Sequence, residues 1–263
     1  MIQYIAIVPH SPVLLPHFLS EEKQSQLSSQ TTVALEFLAR ELYCSKPDTF
    51  FIISPHAPVS AGAFLMNVNP IYKIDFSFFG DFGEYPFFSG DIETISWIQS
   101  YFRQNDIAFR SISNESLDYG TSLPLFYLGK NLKDVKIIPL FSSLLGKEEH
   151  YHFGKELAVA LGKNSRRIAI IISIDLTKSD IEEDSKSVFP FDEHVLTLFK
   201  QNQLKRLSNI DHHIVENSNS CAQNPLLILA GIINNLKCYP KLLSYERMYN
   251  SGLMVGTISL DSL

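Results

Sequence analysis

Two histidines stand in the same phrase. Residues 4–13 read YIAIVPHSPV and residues 50–59 read FFIISPHAPV. In each, an apolar, β-branched run of strand length stops at Pro-His-small-Pro-Val, which puts His10 and His56 just past the end of a buried strand. Two imidazoles brought together at such ends can ligate a metal or exchange a proton. A third polar strand end, Ser173-Ile174-Asp175, closes the run RIAIIIS at 167–173. Far along the chain, Cys221 stands in CAQNP ahead of an apolar helix, with Pro225 near its first turn. A thiol at a helix N-terminus has a lowered pKa and leans towards thiolate, so Cys221 is expected to be a soft ligand or a nucleophile.

Other residues of the same types carry less. His17 reads as a surface-loop residue. His150 and His152 lie two apart on an amphipathic helix, face different sides and are expected to be solvated. Asp211-His212-His213 lies in a helical, polar stretch where adjacent side chains diverge, so no metal is expected there. Cys44 and Cys238 read as packing residues. Three cysteines in all argue against a disulfide scaffold and for a reducing compartment.

The elements that position these residues follow from the pattern. Continuous apolar runs suit strands buried on both faces of a parallel sheet, and the carboxyl edge of such a sheet is where ligands bind. A helix is expected from a cap at Ser20, through Glu21, Glu22 and the apolar positions Leu27, Ala34, Phe37 and Leu38, to about Leu42. With its flanking strands it makes a right-handed parallel crossover. Further strands are expected at 61–68, 107–112, 135–140 and 167–173, with a closing pair at 241–250 and 252–259. Helices are expected to open at Asp91, Gly146 and Asp192, the last followed by a second running to about Asn217, and to run over 226–236. Asp118-Tyr119-Gly120 marks a tight turn, with Pro124 in the first turn of the helix after it. The Phe-rich residues 72–90 read as an irregular excursion over the sheet edge, a lid or oligomer contact. With no linker or low-complexity tract, residues 1–263 read as one α/β domain with a central, mostly parallel sheet flanked by helices.

Net charge is −6 and the pI about 5.7, which leaves no basic field for nucleic acid. The longest apolar stretch, around 226–233, is too short to cross a membrane. The N-terminus lacks the basic region of a signal peptide. A cytoplasmic protein is expected.

The order of these signals resembles the class III extradiol ring-cleavage dioxygenase superfamily, catalytic B-subunit type, and within it the Memo-like branch. The signals are strand-end His10, strand-end His56, Asp118-x-Gly-x-x-x-Pro-Leu, Ser173-x-Asp-Leu-Thr and a helix-opening segment ending in Pro-Leu. The resemblance runs from His10 to about Ile232. It implies a non-haem Fe(II) held by two His and a Glu. The two His fall on His10 and His56. The Glu position, four residues before Pro-Leu, is Cys221 here, as in Memo-like proteins, followed by Ala222 and Gln223 where those have Gly and Arg. The implied metal ligands are therefore His10, His56 and Cys221, with Fe(II) expected first and zinc or copper as competitors for a site softened by thiolate.

Two departures concern the substrate. The family's Asp-His-Gly is Asp118-Tyr119-Gly120, and its Leu-Ser-His, whose His is the acid/base, is Leu176-Thr177-Lys178. Tyr119 and Lys178 are expected to be the catalytic side chains, Lys178 as acid/base if a neighbouring cation and burial lower its pKa. Asp118 and Asp175 match the family and are expected to orient the ligand imidazoles or shape turns. The function implied is that of a non-haem iron oxidoreductase acting on a catechol-like or other small aromatic substrate. The alternatives are a Memo-like protein that binds a ligand or peptide without turnover, and a metal-dependent non-redox enzyme. The aromatic surface at 76–88 suggests a homo-oligomer.

Overall fold

Apolar residues on both faces of a strand require a layer of helices on each side, and the chain supplies both. The structure is a computed structural model that describes residues 1–15, 18, 30–56, 60–132, 134–179 and 188–261. The described strands are β1 (Ile2–Val8), β2 (Thr49–Ser54), β3 (Phe64–Asn67), β4 (Ile71–Lys73), β5 (Phe87–Ser89), β6 (Phe109–Ile112), β7 (Lys136–Phe141), β8 (Ile168–Ser173), β9 (Cys238–Met248) and β10 (Ser251–Leu260). The described α-helices are α1 (Gln30–Ser45), α2 (Ile92–Gln104), α3 (Tyr119–Leu128), α4 (Lys147–Gly162), α5 (Pro190–Lys200), α6 (His212–Glu216) and α7 (Gln223–Ile232).

Eight strands form one sheet in the order β6-β3-β7-β2-β8-β1-β10-β9, and β4 pairs β5 apart from it. The middle four, β7, β2, β8 and β1, are parallel. Antiparallel pairs extend the sheet on both sides, β10 on β1, β9 on β10 and β3 on β7. Alternate residues of the same strands enter two cores. Ile5, Ile7, Phe51, Ile53, Ile170 and Ile172 meet α2, α4, α5 and α7. Ala6, Val8, Phe50, Ile52, Ala169 and Ile171 meet α1 and α3. Parallel strands share a carboxyl edge, so His10, His56 and Asp175, all just past strand ends, are delivered to one place.

β1 and β2 are parallel, as expected, with β8 between them and paired with both. Several other expectations need correction. His150 is fully buried. Its Nδ1 bonds the Gly146 carbonyl at 2.8 Å and its Nε2 accepts from the Ser143 N–H at 3.3 Å, so it joins the start of α4 to the turn before it. Cys44 is exposed, whereas Cys238 is buried. The last helix opens at Gln223 and stops at Ile232, short of 236. Pro124 lies inside α3 rather than in its first turn. Asp211 caps α6 through the His213 N–H. His212 pairs with Glu216 on the same helix, apart from any metal cluster among the described residues. His17, the Ser20 cap with Glu21 and Glu22, and Leu27 lie outside the described residues. No helix among those described is long and apolar enough to cross a membrane.

Candidate metal centre and cleft

Pro124 explains how His10 is oriented. A proline has no N–H, so within α3 the Gly120 carbonyl loses its i+4 donor. That carbonyl instead accepts from the Ser173 hydroxyl at the end of β8. With its one proton committed, Ser173 Oγ can only accept from His10 Nδ1, 2.9 Å away. The network therefore assigns the proton of His10 to Nδ1 and leaves the lone pair on Nε2. The His10 backbone is tied as well, its N–H donating to Asp175 Oδ1 at 3.0 Å.

His56 is held from behind in a similar way. Its N–H donates to Ser54 Oγ at 3.1 Å, and Ser54 Oγ donates to Asp118 Oδ1 at 2.7 Å. Asp118 is also the N-cap of α3, accepting from the Thr121 N–H at 3.1 Å and the Thr121 hydroxyl at 2.6 Å. It therefore shapes the turn and supports the His56 segment together. Gly120 is required by closeness: a Cβ there would lie 2.4 Å from Ser54 Oγ and 2.9 Å from Asp118 Oδ1.

Cys221 arrives from the segment before α7. Its Sγ accepts from the Asp175 N–H at 3.4 Å, while the neighbouring Ser220 hydroxyl donates to the Asp175 carbonyl at 2.9 Å. His10 Nε2 lies 2.9 Å from His56 Nε2 and 3.4 Å from Cys221 Sγ. The three ligand atoms fall within 4.8 Å of one another. Two nitrogens and a sulfur so close, with the His10 lone pair turned inward, fit a single divalent ion.

The electrostatics agree with neutral imidazoles. Burial, then the Lys178 charge, pulls His10 down to about 3. Burial, then His10 and Lys178, pulls His56 down to about 3. The 3.7 Å approach of His10 Nε2 to Asp175 Oδ2 is thus no ion pair at neutral pH. Burial raises the Asp175 carboxyl against the opposing pull of Lys178, and raises Asp118 to about 6 against its hydrogen bonds. The expected lowering of the Cys221 thiol is reversed. Burial and the Asp175 charge push it up to about 12, outweighing Lys178 and the nearby N–H groups. Without a cation on the sulfur, desolvation wins over the helix start.

Tyr119 and Asp175 join this cluster to a cleft of about 550 Å³, whose walls include Phe18, Phe79, Lys178 and Asn250. The Tyr119 ring stacks on His56 with centroids 4.5 Å apart and meets the edge of His10 at 5.6 Å. Burial raises its phenol above the ordinary range. Lys178 Nζ stands 3.9 Å from Asp175 Oδ2. All seven residues expected at the site are thus brought to one region. Sequence reasoning gave no role to Ser54 and Ser173, although each directly precedes a quoted motif residue or lies within a motif. It gave none to Phe79 either, which packs edge-on against Tyr119 at 5.4 Å; nothing in the Phe-rich excursion distinguishes that ring from its neighbours.

Comparison with known proteins places the chain in a family. The chain is 25% identical over 276 residues to Protein CA_C1420 of Clostridium acetobutylicum, across 97% of this chain and 57% of that protein, so it spans little more than half of that relative's length. The fold is similar to that in the crystal structure of uncharacterized protein JW3007 from Escherichia coli K12, with TM-score 0.69, 15% identity and coverage of 97% of this chain and 99% of the other. A family model described as the catalytic LigB subunit of aromatic ring-opening dioxygenase matches residues 4–256. The chain therefore belongs to the LigB family of aromatic ring-opening dioxygenase subunits.

Proposed function

We propose that this chain binds one divalent metal through His10, His56 and Cys221 and acts as a non-haem iron oxidoreductase on a small aromatic ligand held in the adjoining cleft. The observation that carries the reading is the His10 Nε2 lone pair, fixed by Ser173 and Gly120 and directed at a second imidazole and a thiol from distant parts of the chain. Fe(II) is the first choice of metal because two imidazoles and one anionic ligand leave coordination positions open for dioxygen and substrate. Tyr119 and Phe79 offer the ligand aromatic surface. Lys178 and Tyr119 are the polar groups placed to exchange a proton with it. Asp118 and Asp175 hold the ligand-bearing turns.

The test is metal content after purification without oxygen, wild type against Cys221→Ala, followed by oxygen uptake with catechol. Wild type should carry iron and Cys221→Ala should have lost most of it. Equal metal in both would remove Cys221 from the site. If Lys178→Met left catechol-dependent oxygen uptake unchanged, Lys178 would lose its catalytic assignment.

Two features favour other readings. The thiolate suits zinc or copper, so bound zinc with no oxygen uptake would make the protein a non-redox metal enzyme. No imidazole among the described residues lines the cleft, which suits binding without turnover. The highly exposed rings of Phe78 and Phe82 fit a homo-oligomer, which sedimentation velocity would detect.

A further inference from the structure

We propose that the protein holds a second, smaller ligand site, a cavity between the start of α5 and α6 that takes a neutral one-ring alcohol or phenol through the Thr177 hydroxyl. It depends on neither the metal nor the cleft, with which it shares no lining residue among those described.

The cavity has a volume of about 150 Å³, and its walls include Thr177, Phe189, Phe191, Ile214, Asn217 and Ser218. Thr177, Phe191 and Ser218 form its buried floor. Most of the polar atoms there are spent. The Thr177 N–H donates to Asp192 Oδ1 at 2.8 Å, and the Thr177 carbonyl accepts from the Gly252 N–H at 3.0 Å. The Ser218 hydroxyl donates to the Val215 carbonyl at 2.6 Å and accepts from the Ser220 N–H at 3.2 Å. The Ser218 carbonyl accepts from the Lys178 N–H at 2.8 Å. The Thr177 hydroxyl, in a residue only 1% exposed, has no hydrogen-bond partner.

A desolvated hydroxyl beside a cavity is met by water or by a ligand. Water needs several polar partners, and the side chains of this floor spare one. Phe189, Pro190, Phe191 and Ile214 supply apolar wall, which suits a ligand with one polar group on an apolar body. No Asp, Glu, Lys or Arg lines the cavity among the described residues, so that ligand is neutral. A cavity of this size admits one benzene-sized molecule. A hydroxyl both donates and accepts, so an alcohol or a phenol can pair with Thr177 in either sense. The site is also braced from outside. Asp192 Oδ2 accepts from the Tyr245 hydroxyl at 2.7 Å and lies 3.9 Å from Arg247 Nη1. The Arg247 guanidinium in turn stands 4.1 Å from the centre of the Phe189 ring. Thr177 precedes Lys178 and Ser218 accepts the Lys178 N–H, so a ligand here would sit directly behind the lysine of the cleft wall.

The test is titration of the whole protein with phenol, benzene and benzoate, followed by backbone amide NMR shifts, which give a separate affinity at each site. Phenol should shift the amides of Thr177, Ile214 and Ser218 saturably, and benzoate should leave them in place. Thr177→Val keeps the shape but loses the hydroxyl. It should weaken phenol at these amides roughly 2–10-fold, the worth of one hydrogen bond, without weakening benzene. Ile214→Trp, whose side chain would fill the cavity, should abolish the response of Thr177 and Ser218 to both. Phenol shifts confined to Phe78 and Phe79 of the cleft would overturn the proposal. So would benzoate shifts at the cavity as large as those of phenol, phenol affinity unchanged in Thr177→Val, or an unchanged response in a folded Ile214→Trp.

Discussion

Ser173 decides which nitrogen of His10 is free, though it would touch neither metal nor substrate. Its hydroxyl gives its proton to the Gly120 carbonyl and takes that of His10 Nδ1. Ser173→Ala would leave both partners unsatisfied in a fully buried place and let the imidazole rotate or change tautomer. On the proposed site, metal affinity should fall roughly 10–100-fold, the usual effect of removing such an orienting partner. Competition against a chromophoric chelator measures this, and an unchanged affinity would show that the network does not orient the ligand. His150 makes a separate residue-scale case, away from the site. Burial holds its pKa below the ordinary 6.5. As pH falls below about 6.5 the unfolded chain takes up a proton that the folded one refuses, so stability is lost on acidification, at up to about 1.4 kcal/mol per pH unit. His150→Gln keeps a donor and an acceptor but does not titrate. Urea unfolding at pH 7 and pH 5 should therefore show the wild type losing stability relative to His150→Gln. A difference that stays constant between the two pH values would refute the assignment.

At the scale of elements, α7 is set by two glycines. A Cβ on Gly154 of α4 would lie 2.1 Å from the Ile228 carbonyl oxygen, and one on Gly231 of α7 would lie 2.1 Å from that of Tyr151. The two helices cross backbone to backbone, and that contact fixes the height at which the segment before α7 presents Cys221. Gly231→Ala should force the helices apart and cost about 1–3 kcal/mol, as overpacking does. Metal content should drop with it if α7 moves as a unit. Thermal melts and metal analysis of the folded variant check both effects. Element type was legible where the signal was local. The apolar runs of β1, β2 and β8 read as strands because burial on both faces leaves no polar alternation, and the closing pair β9–β10 read as a hairpin. What depended on distant partners was not legible. Pro124 looked like a helix opener because its place inside α3 makes sense only once Ser173 takes up the Gly120 carbonyl. His150 looked solvated because its acceptor and donor, Gly146 and Ser143, lie in a turn that no periodicity describes. Cys221 was found by its place before a helix, yet its high pKa follows from burial and then from the charge of Asp175, which lies 46 residues away in sequence.

Over the whole molecule, the three donors come from near the N-terminus, from the end of the second strand and from the start of the last helix. An ion on them would tie β1, β2 and the α7 segment into one cross-link. Binding to the folded state alone adds about 2.7 kcal/mol when free metal is 100-fold above Kd. In a domain near this size each kcal/mol moves Tm by about 2–4 °C, so loading should raise Tm by roughly 5–10 °C. The shift should vanish in His10→Ala and in Cys221→Ala. In Cys44→Ala, whose thiol is exposed and plays no part in the cluster, it should persist. Scanning calorimetry of chelated and metal-loaded protein gives the comparison. A shift equally large in Cys221→Ala would remove Cys221 from the site, and one equally large in His10→Ala would leave the inward lone pair of His10 only its 2.9 Å contact with His56.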